Sequence, residues 1–501
     1  MSAGRSPYDT APPVAAAILR VGLALVIAFG ALAVGIARWQ VWEAEALTMA
    51  PDDPLVLAAQ RSAPRGPIVD TRGVVLAETE LVGGEARRQY RSVAAAPILG
   101  YWSPVFGTSG LERAYDAELI GLAGGSPSEA LLRKFERSPY DPATLHLSID
   151  LRLQEKAAQL LGADRGAIVA IEPATGRILA LVSSPGYDAS RIADPAEGPA
   201  YFATLREDPA SPLLDRATQG LYVPGSVLKV ATALAALDSG AVAPETIFRD
   251  QPAEERTGHV VEGFRVRDGH HPMTGDRALD LRRAIEVSCN IYFARTAVLL
   301  GGERFRAWGT AAGFDAPIPF ELPTAASQLT DRPPGPNGGF RDDAELANAG
   351  YGQAQVLVTP LQMALLAAAV ANDGVAMRPH LVDAVEWSDG SRRATAPEAW
   401  RRIAAPTSAA VVREAMQQAV EGRWGRAFAG AAKVPGVPTA GKSGTAELGG
   451  SGEPHSWFIG FAPVEGARIA VAVVVEHGGR GAERAVPLAG QLMAFYLGLG
   501  R

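Results

Sequence analysis

From Val21 to Ala37 the chain is an uninterrupted run of apolar residues and glycine, extendable back to Val14 across Arg20. At about 1.5 Å of rise per residue, roughly 20 residues of helix cross a bilayer core, so the run suffices if Arg20 snorkels to the interface. Trp39 and Trp42 fall where an aromatic belt would sit. Arg5 and Arg20 precede the run, whereas Glu43, Glu45, Asp52 and Asp53 dominate after it. The positive-inside rule then predicts a cytoplasmic tail over 1–13, one transmembrane helix over 14–37, and a body outside the membrane. A cleaved signal peptide is the alternative, because Ala44-Glu45-Ala46 fits the small-x-small pattern. Its apolar region would be about 7–15 residues, shorter than this run, which favours an uncleaved anchor, and either reading exports the body.

With 501 residues, 48% of them hydrophobic, the chain exceeds one ordinary domain and can bury a large core. A formal net charge of -7 without a basic block argues against a nucleic-acid-binding surface. The scattered arginines are expected to form surface ion pairs. A single cysteine, Cys289, excludes an intramolecular disulfide, a CxxC pair and a zinc knuckle. Among seven histidines, His270 and His271 are adjacent, but no HExxH or other metal spacing appears, so they read as loop residues, with no metal or cofactor expected.

Residues 38–64 read as a linker, rich in Pro, Asp and Arg from 51 onward. Arg65 to Ala77 then places two short apolar strands around an Asp-Thr-Arg-Gly turn, which predicts a hairpin. The stretch 65–143 holds no cluster of catalytic residue types and reads as a small, mainly β, non-catalytic domain. Near Thr144 the pattern changes to a short strand and a helix over Leu151–Leu161. Ala167–Ile171 and Ile178–Ser183 are β-rich runs joined by Pro173-Ala174-Thr175-Gly176; Trp457–Phe461 and Ile469–Val475 repeat the hairpin pattern before an apolar helix over Leu488–Leu497. Strands at both ends of 144–501 with helices between imply an α/β (α+β) domain, one antiparallel sheet assembled from distant segments and flanked by helices.

The chemistry is concentrated in scarce residue types. Of 47 Lys plus Arg only five are lysines, and a lysine out of water can give up its proton whereas an arginine cannot. Lys229 lies three residues after Ser226, at the start of a helix predicted over Val227–Leu237, so its amine can reach the Ser226 hydroxyl. The free N–H groups of a first helical turn suit a developing oxyanion. With serine at about 5–7% of residues, five lysines leave roughly a one-in-four chance of some Ser-x-x-Lys, so the pair alone does not decide. Ser288-Cys289-Asn290 lies in a helical stretch where hydroxyl and amide could point into one cleft, a helix cap or buried hydrogen bond being the plainer reading. Lys442-Ser443-Gly444-Thr445, on an edge strand, would offer a cation, two hydroxyls and a close-approach glycine to an anionic substrate end.

Ser-x-x-Lys, Ser-x-Asn and Lys-Ser-Gly in this order resemble the motif set of penicillin-binding proteins and serine β-lactamases. Arg65–Ala77 and Gly110–Asp116 resemble pedestal signatures of monofunctional (class B) penicillin-binding proteins. Gly352-Gln353, Thr359–Ala364 and Trp457–Pro463 resemble transpeptidase-domain signatures, and the compact pedestal is similar to that of the penicillin-binding protein A type. The resemblance implies a pedestal (dimerisation-like) domain over 65–143 and a transpeptidase domain over 144–501. It further implies that Ser226 attacks the D-Ala-D-Ala bond of a stem pentapeptide, or a β-lactam, to form an acyl-enzyme that an amine of a neighbouring stem peptide resolves. Lys229 would take the serine proton, Ser288 and Asn290 would relay protons and hold the peptide, and Lys442 would keep Lys229 neutral. Ser443 and Thr445, with Gly444 between them, would bind the substrate carboxylate, and the N–H groups of Ser226 and Thr445 would form the oxyanion hole. Cys289 would pack away from the site.

A membrane-anchored serine β-lactamase, a β-lactam sensor and a D,D-carboxypeptidase share this kit. Glu345 with Asn348 invites comparison with the hydrolytic glutamate of class A β-lactamases, but a solvated helix-turn glutamate is the preferred reading. A scaffold with a degenerate site is opposed by the intact motifs. About 100 residues between anchor and catalytic domain are too few for a glycosyltransferase plus pedestal. The resemblance therefore implies a separate multi-span glycan polymerase as partner in cell-shape or division machinery.

Overall fold

The computed structural model describes residues 14–38, 64–82, 85–123, 141–268, 271, 277–449 and 452–499. Val14–Ala37 forms a single helix, α1, within which Ala17–Ile36 has a mean hydropathy of 2.4. Roughly 20 helical residues suffice to span a bilayer core, so α1 is long enough to cross one. Trp39, Trp42 and Ala44–Ala46, expected as aromatic belt and cleavage pattern, lie outside the described residues. The second compact unit is Pro64–Arg501.

The body opens with the expected hairpin. Strands β1 (Ile68–Val69) and β2 (Val75–Val82) run antiparallel around a turn in which Asp70 Oδ1 accepts from the N–H groups of Arg72 and Val74, both at 2.8 Å. Strand β3 (Glu85–Tyr90) pairs with β2, while β4 (Thr144–Leu147) pairs parallel to β1. With two later strands, Val382–Glu386 and Arg392–Ala394, these make a six-stranded sheet whose members come from both sides of residue 143.

The hairpin and the Gly110–Asp116 segment are joined by buried charges. Arg65 Nε meets Glu112 Oε2 at 2.7 Å, Arg88 Nε meets Glu112 Oε1 at 2.7 Å, and Arg65 Nη1 reaches Asp116 Oδ1 at 2.8 Å. The side chains of Arg65, Arg88 and Glu112 are at most 2% exposed. Burial pushes the Glu112 carboxyl up, but the Arg88 and Arg65 charges override it and hold it below its ordinary value. Arg91 with Glu78 and Glu80, and Arg378 with Glu398, form the expected surface ion pairs, whereas Arg65 and Arg88 do not: a planar guanidinium satisfies a buried carboxylate with several directed donors, which suits it to the interior.

After helix α2 (Leu151–Leu161), strands β5 (Gly166–Ile171) and β6 (Ile178–Ser184) join the C-terminal β7 (Ala440–Ala446), β8 (His455–Ala462) and β9 (Ile469–Val475). The five are antiparallel throughout, in the order β7-β8-β9-β5-β6, which bears out the expected sheet of distant segments. Strand β9 shows why it carries no polar residues: Ile469, Val471, Val473 and Val475 enter one core cluster and Ala470, Ala472 and Val474 the other. A strand covered on both faces must be apolar at every position. The Leu153 and Leu161 face of α2 and the C-terminal helix Ala485–Tyr496 cover the first face. The alanine-rich helix Pro360–Ala371 lies on the second, where Ala470 and Ala472 leave room for close approach.

Between β6 and β7 the chain is mostly helical: α3 (Lys229–Asp238), α4 (Leu281–Glu286), α5 (Asn290–Leu300) and α6 (Asp343–Gly350) pack on one another, and helix Pro406–Glu421 lies against β7.

Candidate active site

Ser226 sits in a tight 3-10 turn, Gly225–Leu228, that runs directly into α3. Gly225 has φ +57°, and a Cβ there would lie 2.6 Å from the carbonyl oxygen of Thr445, so only glycine lets this turn close against β7. Gly444 serves the same approach from the strand side, since a Cβ there would lie 2.9 Å from Pro224 O. In a strand the N–H and C=O of one residue project to the same side. The Thr445 carbonyl faces Gly225, so the Thr445 N–H also points from the free edge of β7 into the cleft.

The Ser-x-Asn segment lies only partly in a helix: Asn290 opens α5, whereas Ser288 and Cys289 fall between helices. Ser288 occupies the break between α4 and α5 with φ +62°, a left-handed conformation uncommon outside glycine. That conformation aims its carbonyl and its hydroxyl at the same neighbour. Lys229 Nζ donates to Ser288 O at 2.5 Å and to Asn290 Oδ1 at 2.6 Å, with Ser288 Oγ at 3.3 Å. Lys442 Nζ donates to Ser288 Oγ at 2.8 Å and to Ser443 O at 2.9 Å. The two lysines thus meet at one serine hydroxyl. Asn290 is itself oriented, its Nδ2 donating to Arg267 O at 3.2 Å. Ser226 Oγ makes no hydrogen bond to Lys229 among the described residues, so the amine is committed to Ser288 and Asn290.

Both lysines are buried, Lys229 fully and Lys442 to 1% exposure. Burial lowers the Lys229 amine to about 8, with the Asp268 charge opposing. Burial also lowers Lys442 well below its ordinary value, and repulsion from Lys229 adds to it. A neutral amine has two N–H bonds and one lone pair. With its two protons given to Ser288 O and Asn290 Oδ1, Lys229 keeps the lone pair for a proton from a hydroxyl.

Ser226, Ser288, Asn290, Ser443 and Thr445 line one cleft of about 1020 Å³, with Phe264, Tyr351 and Phe428 among the other walls. Lys229 and Lys442 lie beneath it. Thr445 Oγ1 accepts from the Gly481 N–H at 3.2 Å, which leaves its own proton free to donate. Glu345 lines the cleft too, but it is not the solvated residue expected. Only 6% exposed, it accepts from Thr330 Oγ1 at 3.3 Å, Arg332 Nη1 at 3.2 Å and the Arg341 N–H at 2.9 Å. A carboxylate so committed fastens a loop to the start of α6.

Motif reading missed Asp268, whose Oδ2 accepts from the backbone N–H groups of Asn290 at 2.6 Å and Ile291 at 3.2 Å. It caps α5 and places negative charge near Lys229. Its distance of 22 residues from Asn290 offered no signal by spacing. Cys289 is buried in the core, as expected, with Sγ accepting from the Tyr292 N–H at 3.4 Å. His271 lies outside any helix or strand, as expected, but is only 3% exposed, and His270 lies outside the described residues. Ligand atoms of Glu255, His271 and Cys289 lie within 4.8 Å of one another, but burial pushes the Cys289 thiol well above its ordinary value, which disfavours the thiolate a metal would need.

Residues 166–494 match the family described as the penicillin binding protein transpeptidase domain, and residues 65–137 the penicillin binding protein A dimerisation domain. The peptidoglycan D,D-transpeptidase PbpA of Mycolicibacterium smegmatis is 35% identical, the alignment covering 92% of this chain and 93% of that protein. PbpA of Mycobacterium tuberculosis H37Rv is 33% identical, with 92% and 94% covered. The solved structure of M. tuberculosis penicillin-binding protein A as its penicillin G acyl-enzyme superposes with a TM-score of 0.76 at 32% identity, covering 87% of this chain and 100% of that one. Pseudomonas aeruginosa PBP2 gives a TM-score of 0.74 at 32% identity, with 87% and 96% covered.

Proposed function

Because this chain belongs to the penicillin-binding protein transpeptidase family, we propose that it is a membrane-anchored peptidoglycan D,D-transpeptidase with Ser226 as nucleophile. The observation that carries the reading is the state of Lys229. A buried lysine whose amine is brought down to about 8, and whose neutral form can direct its two protons at Ser288 O and Asn290 Oδ1, offers its lone pair as a base one turn from a serine.

Ser226 Oγ attacks the carbonyl carbon of the D-Ala-D-Ala peptide bond as its proton passes to Lys229. The tetrahedral oxyanion sits between the N–H groups of Ser226 and Thr445, one at a tight turn and one at a sheet edge, both fixed before substrate arrives. Collapse breaks the C–N bond, and the departing D-alanine amine takes a proton returned from Lys229 by way of Ser288. The substrate carboxylate accepts from Ser443 and Thr445 hydroxyls near the Lys442 charge. An amine of a second stem peptide then attacks the ester, restoring the Ser226 proton and leaving the cross-link. A β-lactam enters the first step but leaves no departing amine, so its ester persists.

Asn290 orients Lys229 through Oδ1 and gives one Nδ2 proton to Arg267 O, which leaves the second Nδ2 proton for a carbonyl of the peptide. The anchor α1 crosses the membrane once with the body outside, and residues 65–143 and 144–501 form pedestal and transpeptidase domains that share a sheet. The glycan strands come from a separate multi-span polymerase. The test is labelling with a fluorescent penicillin followed by decay of the label. Wild-type protein takes one label that lasts hours, and Ser226→Ala takes none. Turnover within seconds would make the protein a β-lactamase, and labelling of Ser226→Ala would remove the nucleophile assignment.

A further inference from the structure

The dipeptide Gly352-Gln353, which follows α6, contacts the backbone beside both halves of the oxyanion hole, at Gly225 and at Glu447. Gly352 has φ +88°, its carbonyl oxygen accepts from the Gly225 N–H at 2.9 Å, and a Cβ on it would lie 1.9 Å from Gly225 O. It is therefore in backbone contact with the turn that carries Ser226. Gln353 reaches the other half. With its carboxamide turned to pair both groups, Nε2 donates to Glu447 O and Oε1 accepts from the Glu447 N–H, both at 3.2 Å.

The position of Glu447 gives this pair its meaning. It lies two residues beyond Thr445 and directly after the last residue of β7, Ala446, so bonds to its backbone hold the chain where it leaves the strand that carries the Thr445 N–H. An unpaired edge shifts and frays unless its backbone groups find partners. Gln353 supplies those partners at Glu447 and leaves the Thr445 N–H for the oxyanion. Thr445 thus faces the reacting carbonyl while Glu447, just past the strand end, is clamped.

We infer that Gln353 is a positioning residue that sets the spacing between the Ser226 and Thr445 N–H groups by tying the nucleophile turn, through Gly352, to the edge strand. This rests on the reading of Ser226 as nucleophile. Its action falls on the transition state, because an oxyanion forms only there, while ground-state binding of substrate at Ser443 and Thr445 hydroxyls is left in place. The expected signature is a loss in the rate of acylation within the bound complex without a matching loss of affinity.

The experiment measures penicillin acylation of the full chain by rapid mixing over a range of penicillin concentrations, separating the first-order acylation rate from the dissociation constant of the preceding complex. Gln353→Ala removes both bonds. Gln353→Glu keeps the size and the acceptor for the Glu447 N–H but cannot donate to Glu447 O, and serves as the variant that folds if the alanine one does not. The acylation rate is expected to fall at least ~10-fold in Gln353→Ala and by less in Gln353→Glu, with the dissociation constant within about twofold, since small misplacements in a pre-organised site cost up to ~100-fold. A rate within about twofold of wild type in a folded variant, or a loss confined to the dissociation constant, overturns the inference. Wild-type protein that takes no label would instead remove the reading of Ser226 on which it rests.

Discussion

The pH dependence of acylation tests the central chemical step, because it must follow the proton on Lys229. Burial brings this amine from the ordinary 10.5 to about 8. At pH 7 an ordinary lysine is neutral in roughly one molecule in 3,000, whereas this one is neutral in roughly one in 11. The ratio, close to 300-fold, corresponds to about 3 kcal/mol at 1.36 kcal/mol per tenfold step. The sign for stability runs the same way. The folded value lies below the unfolded one, so between about 8 and about 10.5 the unfolded chain binds more protons, and the burial penalty is relieved as pH rises through that window. The second-order rate constant for acylation by a fluorescent penicillin is therefore expected to rise about tenfold from pH 7 to pH 9 and level off above. Lys229→Arg, which cannot deprotonate, should lose on the order of 100-fold or more at every pH, because a positioned base contributes about that much. A flat profile in the wild type from pH 6 to pH 9, or a Lys229→Arg protein that still acylates well, would refute the assignment of Lys229 as the base.

Glu112→Ala strands the Arg65 and Arg88 guanidiniums in the interior and should cost about 3–5 kcal/mol in chemical denaturation, whereas Arg91→Ala, paired with the exposed Glu78 and Glu80, should cost less than about 1 kcal/mol. Equal losses in the two would show that the buried network has no special weight. Glu345→Gln should leave the lifetime of the penicilloyl-enzyme unchanged while lowering stability by about 1–3 kcal/mol through its buried partners. A longer-lived label in that variant would identify Glu345 as a hydrolytic base.

Much was legible in the sequence because the signals are local. The apolar run at Val21–Ala37 has a length set by the bilayer. The runs at 167–171, 178–183, 457–461 and 469–475 alternate or persist as strands do, and each of the three motifs is a matter of three or four adjacent positions. Scarcity of lysine singled out Lys229 and Lys442 because the chemistry needs a cation that can become neutral in one case and a compact charge in the other. The structure brings the three motifs to one cleft, with the lysines below its floor.

Other features depend on residues that spacing cannot pair. The left-handed Ser288 is invisible to helical periodicity, since its neighbours on both sides read as helix. Asp268 caps α5 from a remote loop, and Glu345 was read as solvated because a helix start usually is, until Arg332 and the Arg341 N–H enclosed it. The buried Arg65–Glu112–Arg88 group reads in one dimension as ordinary surface charge. By itself the sequence determined the elements, the chemical kit and the order in which its parts occur, since these follow from local periodicity and residue chemistry. Only the tertiary structure decided which acceptors Lys229 donates to, which edge of β7 faces Ser226 and what holds that edge still, because hydrogen bonds between distant segments are directional over a few ångströms and leave no period in the chain.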